Sequence, residues 1–174
     1  MVDIETLDNV ETSVILSIGA VRFDEDKIED KFYVVLSPEE QIREYNRTVN
    51  GETIRWWMQQ SKEARDAAFL ASDRQSLQTA LSWLAQWYGN DDRRPIWAKP
   101  ATFDISILNH AYRQLGETRP PWHYRSTRCM STLMRLLPQV KPDAVATVEH
   151  NALDDALEQA LHVQLLLAKL GELK

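Results

Sequence analysis

The chain has 174 residues, 44% hydrophobic and 26% charged, which supplies one domain with a real core and excludes disordered and collagen-like chains. Its net charge of −6 argues against binding duplex nucleic acid through a broad basic surface, although cations gather locally at Arg93-Arg94 and between Arg113 and Arg135. There is no apolar run of membrane-spanning length, no visible leader before Asp3 and no disulfide partner for the lone Cys129, so a soluble cytoplasmic domain spanning residues 1–174 is expected.

Residues 2–7 read as a short strand, and 13–24, almost continuously apolar, as a second. Asp24-Glu25-Asp26-Lys27 makes a turn into a third strand over 28–36, giving an antiparallel three-strand meander. Helical patterns follow near 38–44, 52–60, 61–70 and 75–88. Pro95 to Ala98 is a compact strand between turn residues. Phe103, Ile107, Leu108, Ala111, Tyr112 and Leu115 then recur at helical spacing, with Gly116 as the stop. Two more helices are predicted near 127–137, opened by Arg128-Cys129-Met130, and over 151–171. Met130 and Met134, four residues apart, read as core, and Cys129 as a structural thiol. Strands first, then helices alternating with one more strand, suggest an α/β or α+β domain around a mixed sheet.

Asp3 and Glu5 lie two residues apart in a predicted strand, so both carboxylates face one way and Val2 and Ile4 the other. Two such groups repel unless a proton or cation lies between them, and hard oxygen ligands suit Mg²⁺ or Mn²⁺. Read alone, the pair is equally well an edge strand with two solvated acids. Asp104, at the start of a helix, would by itself be answering the helix dipole. In His150-Asn151-Ala152-Leu153-Asp154-Asp155-Ala156, Asn151 is an N-cap and Asp154 its capping-box partner. That leaves Asp155 as a carboxylate without a structural task and His150 just ahead of the helix.

Taken together, Asp3-Ile4-Glu5-Thr6, Thr102-Phe103-Asp104 and His150-x4-Asp155 resemble the three motifs of the DEDD exonuclease superfamily, in the subgroup with His in the third motif. The likeness covers essentially the whole chain. Within the superfamily, Thr53-Ile54-Arg55-Trp56-Trp57-Met58-Gln59-Gln60-Ser61-Lys62-Glu63-Ala64-Arg65 is similar to a segment of the phage exonuclease A and exonuclease VIII-like group. Ile15–Val21 and Ala101–Asp104 share that likeness, and mycobacterial-type exoribonucleases have the same general layout. The chain departs from these relatives at Asp8, where they often carry Gly, and at Lys99-Pro100, where Asn-Gly is common.

The resemblance implies an α/β, ribonuclease H-like fold, with a mixed central sheet flanked by helices, and two divalent cations, Mg²⁺ or Mn²⁺. It implies that Asp3, Glu5, Asp104 and Asp155 hold the cations and that His150 is the general base of a 3′–5′ exonuclease releasing 5′-nucleoside monophosphates. The 3′ end of single-stranded DNA or RNA is the expected partner, with DNA slightly favoured by the phage-type likeness; relatives of this layout often dimerise, so a homodimer is admitted. Thr6, Leu7, Phe103 and Trp57 are candidate substrate contacts. Since adjacent helix positions cannot face one way, one of Trp56 and Trp57 is expected in the core. Arg94, Lys99 and Arg128 are candidate phosphate contacts. The competing expectations are an endonuclease or phosphatase on the same acidic cluster, and a non-catalytic nucleic-acid-binding module.

Overall fold

The computed structural model describes residues 1–116, 119–142 and 148–172. The chain opens with β1 (Val2–Thr6), β2 (Ile15–Phe23) and β3 (Ile28–Val35), an antiparallel sheet in the order β1-β2-β3. Asp24 closes the β2–β3 turn by accepting the N–H groups of Asp26 and Lys27 on one carboxylate oxygen. The register sets Asp3 opposite Gly19 and Glu5 opposite Ser17, and it slips between Glu5 and Thr6, where β1 ends.

Four helices follow: α1 (Pro38–Tyr45), α2 (Gly51–Trp57), α3 (Lys62–Phe69) and α4 (Leu77–Tyr88). Each starts where a short polar side chain accepts an otherwise unpaired N–H of the first turn: Ser37, Asn50, Ser61 and Ser76. Gln41 of α1 is fully buried, and its amide exchanges hydrogen bonds with both backbone groups of Ile15, tying α1 to β2. Then come β4 (Ile96–Ala98), α5 (Ala101–Gln114), a 3₁₀ turn at Tyr124–Ser126, β5 (Thr127–Cys129), α6 (Met130–Leu136) and α7 (Ala152–Glu172). Gly116 ends the α5 segment at φ 71°, as predicted.

Two features differ from the sequence expectation. Residues 127–129 are not the start of a helix but a strand, paired in parallel with β4, and α6 begins only at Met130. Three residues carry no periodicity of their own, so the neighbouring β4 decides their conformation. The expected mixed sheet is, among the described residues, two hydrogen-bonded sheets: the antiparallel meander and the parallel β4-β5 pair, with β4 lying against β1. The three-residue β4 forms its ladder with β5.

The two faces of the strands are covered differently. Val2, Ile4, Ile18, Ala20, Ile96 and Ala98 point into a core completed by α4 and α5. On the other face α7 lies across β2 and β1, packing Ala156, Ala160 and Val163 against Met1 and Val21, with Met130 buried and Met134 partly buried beside them. A third cluster, Leu7, Val14 and Leu16 against Trp57, Ala64 and Ala68, seats α2 and α3 beyond the end of β1. Among the described residues no helix is long and apolar enough to cross a membrane.

Candidate active site

The alternation of β1 leaves Asp3 and Glu5 on the α7 side of the sheet, and α7 comes very close there. A Cβ built on Gly19 would stand 2.1 Å from the carbonyl oxygen of Ala152, so only glycine at this position lets the first turn of α7 reach β2. That approach brings Asp155 over β1. From the opposite flank α5 supplies Asp104, which accepts the N–H of Ile4 at 3.2 Å. Asp3, Glu5 and Asp104 are all buried.

The segment before α7 is held by the helix's own acids. Asn151 accepts the N–H groups of Leu153 and Asp154 and is the N-cap the sequence predicts. Asp154 reaches further back than a capping box would, to the N–H of Val148. Asp155 accepts the N–H of His150 at 3.0 Å. His150 itself sits at φ 65°, the left-handed region that a non-glycine residue occupies at a cost of about 1–2 kcal/mol. This places its imidazole beside the carboxylates: Glu5, His150 and Asp155 each present a ligand atom within 4.8 Å of the others.

The electrostatics follow from burial and crowding. Burial, then the neighbouring Asp104, Glu5 and Asp155 carboxylates, hold Asp3 well above the usual carboxylate range, against the pull of a hydrogen bond from Gln159. Glu5 is pushed up to about 8 by burial, with Asp155 and Asp104 adding to it. Burial raises Asp104 to about 7, opposed by backbone N–H groups including that of Ile4. Asp155 is raised by burial and moderated by the His150 N–H, with Lys99 also lowering it. One oxygen of Asp104, Oδ2, is buried without a partner. Hard oxygen donors that repel each other, one of them unsatisfied, are short of positive charge, and this set of residues fits divalent cations.

Several contributors escaped the sequence reading. Gln159 donates from its Nε2 to Asp3 Oδ1 at 2.8 Å, across 156 residues of sequence. Its one sequence signal was its place four residues after Asp155, on the same helix face. Tyr33 lies opposite Gly19 on the third strand, where burial raises its phenol and Glu5 adds to the rise. Trp56, which the sequence did single out with Trp57, is the exposed member of the pair, and what the sequence missed is that it meets His150 edge to face.

The candidate substrate contacts are placed as follows. Trp57 is the core member of the pair, 1% exposed, and its indole N–H donates to the carbonyl of Thr6 at 2.9 Å, so it braces the end of β1. Leu7 is buried in the same cluster. The Thr6 hydroxyl donates to the carbonyl of Asp8. Phe103 is half-buried at the start of α5, one residue before Asp104. Arg94 and Arg128 donate to backbone carbonyls, of Tyr88 and of Arg125 and Thr127 respectively, while Lys99 is exposed and acts on Asp155.

Fold and site together define an α/β protein in which four carboxylates, three of them buried, crowd together with one imidazole beside them. The chain belongs to the Rv2179c-like family, described as a 3′-5′ exoribonuclease Rv2179c-like domain, whose profile matches residues 1–167. It is thereby a member of a 3′–5′ exonuclease family, whose substrate is nucleic acid. The family description names RNA, and the lean towards DNA drawn from the phage-type likeness finds no support in this match. No curated protein matches the chain.

Proposed function

We propose that the protein is a metal-dependent 3′–5′ exoribonuclease of the DEDD type with histidine, on a ribonuclease H-like fold. The observation that carries this reading is the convergence of Asp3, Glu5, Asp104 and Asp155, with an unpaired buried oxygen among them, beside His150. The strand placement β3-β2-β1 with β4 beside β1 and β5 beyond it supports the fold assignment.

Asp3, Glu5, Asp104 and Asp155 would hold two cations, Mg²⁺ or Mn²⁺. Such ions polarise a phosphodiester, acidify a bound water and neutralise the leaving oxygen. The protein's own part is to hold the carboxylates in order. Gln159 fixes Asp3 by its amide, the Ile4 N–H fixes Asp104, and the His150 N–H fixes Asp155. An imidazole nitrogen of His150 takes the proton of the attacking water, the general-base task that histidine most often performs. Phe103 and the backbone at Thr6 are the proposed contacts of the terminal nucleotide.

The test is a time course on 3′-end and 5′-end labelled RNA and DNA, single-stranded and with 3′ overhangs, in Mg²⁺ and in Mn²⁺. The expected result is stepwise release of 5′-mononucleotides from RNA 3′ ends. Internal fragments would make the enzyme an endonuclease, and the absence of metal-dependent hydrolysis on every substrate would leave a binding module. His150→Ala is expected to keep divalent-cation affinity, measured by calorimetry, and to lose about 10²- to 10⁴-fold in turnover; near-normal turnover would remove His150 from the chemistry.

A further inference from the structure

A catalytic imidazole needs something to set the plane of its ring, and in serine-hydrolase triads a carboxylate hydrogen-bonded to the ring does this. His150 lies outside α7, at positive φ, and the hydrogen bond it makes to Asp155 uses its backbone N–H. Among the described residues its ring has no hydrogen-bond partner. Glu149 approaches only to 3.8 Å and is 88% exposed. The contacts that do reach the ring are aromatic. Trp56 meets it edge to face, with centroids 4.7 Å apart and planes at 72°, and Trp57 stands behind at 6.3 Å.

The tryptophan pair is itself anchored. Trp57 is held by its hydrogen bond to Thr6 and by an edge contact with Phe69 at 5.5 Å. Trp56, the preceding position on α2, stands against Trp57 with centroids 5.1 Å apart. The line Thr6–Trp57–Trp56–His150 therefore runs from the end of the strand that carries Asp3 and Glu5 to the imidazole. Edge-to-face geometry is directional, so it restricts ring rotation as well as position.

We propose that Trp56 is a positioning residue that sets the orientation of the His150 ring relative to the carboxylates. This rests on the reading of His150 as the general base. It assigns to the half-exposed indole a role in turnover rather than in holding the substrate.

The experiment compares Trp56→Ala, Trp56→Phe and Glu149→Gln with the wild-type protein by two readouts. The first is the proton and carbon NMR signals of the His150 ring, assigned by their loss in His150→Ala, in metal-free protein. In Trp56→Ala they are expected to leave their ring-current-shifted positions, and in Trp56→Phe to keep part of the shift. The second is steady-state hydrolysis of a short RNA: Trp56→Ala lowers kcat about ten- to a hundredfold with KM within about twofold, Trp56→Phe restores most of it, and Glu149→Gln changes neither. Unmoved His150 signals in Trp56→Ala overturn the proposal. So does a raised KM at normal kcat, which would make Trp56 a base-stacking residue, or a loss in Glu149→Gln, which would make the carboxylate the orienting group. If the wild-type protein hydrolyses nothing, the enzymatic reading fails separately, and the nuclear Overhauser contacts of the His150 ring with Glu5 and Asp155, lost or kept in Trp56→Ala, decide whether Trp56 holds the ring.

Discussion

Replacing Gly19 by alanine adds one methyl group at the point where the candidate site is assembled. The new Cβ would lie 2.1, 2.2 and 2.3 Å from the oxygen and carbon of Ala152 and the nitrogen of Leu153, where ordinary contact is 3.4–4 Å. These are backbone atoms, and no rotamer change relieves them. The start of α7 must retreat by about 1 Å or more, because close-packed interiors do not absorb such an overlap locally. His150 and Asp155 flank Ala152 in sequence and move with it, while Asp3 and Glu5 stay on β1. The expected cost is about 1–3 kcal/mol of stability, the usual price of overpacking, and about a hundredfold in kcat, the usual effect of a displacement of this size. Thermal melts with and without Mn²⁺ and hydrolysis of labelled RNA measure both. Gly171→Ala, where an added Cβ has no neighbour within 4 Å, serves as the control and is expected to be neutral or slightly stabilising. A Gly19→Ala protein with wild-type melting temperature and wild-type kcat would refute the claim that this close approach positions the site.

The acidic cluster should make the metal-free protein sensitive to pH. Glu5 and Asp104 have their folded pKa raised, from 4.5 to about 8 and from 3.8 to about 7, so the folded chain binds their protons more tightly than the unfolded chain does. Their stabilisation is complete below the unfolded values and is lost as pH rises through the folded ones, so the chelator-treated protein should melt progressively lower between about pH 5 and 8, with saturating Mn²⁺ flattening the slope; a flat metal-free profile would contradict this. Asp104→Asn removes one buried charge while leaving an oxygen for the Ile4 N–H, and is expected to raise the metal-free melting temperature and abolish hydrolysis; a lower melting temperature would argue against charge crowding. Trp57→Ala should destabilise by about 3–5 kcal/mol, and Trp57→Phe by about 1 kcal/mol through the lost hydrogen bond to Thr6, as read from denaturant midpoints; an unchanged midpoint in Trp57→Ala would show that the residue is not part of the core.

What the sequence determined by itself was local. The period-two alternation of β1 put Asp3 and Glu5 on one face, Asn151 marked the start of α7, Gly116 marked the end of α5, and the adjacency of Trp56 and Trp57 required one of them to face inward. These follow from backbone geometry and neighbouring side chains, which sequence spacing encodes. Tertiary structure alone decided that residues 127–129 are a strand, because a three-residue segment takes its conformation from the neighbour it pairs with. It alone decided that Trp57 is the buried member of the pair and that Leu7 lies beneath the surface. The site itself is held by bonds between distant residues, Ile4 to Asp104 across 100 positions and Gln159 to Asp3 across 156, and by the Gly19–Ala152 approach. Such contacts leave no period in the sequence, since they depend on how α5 and α7 settle on the two faces of the sheet.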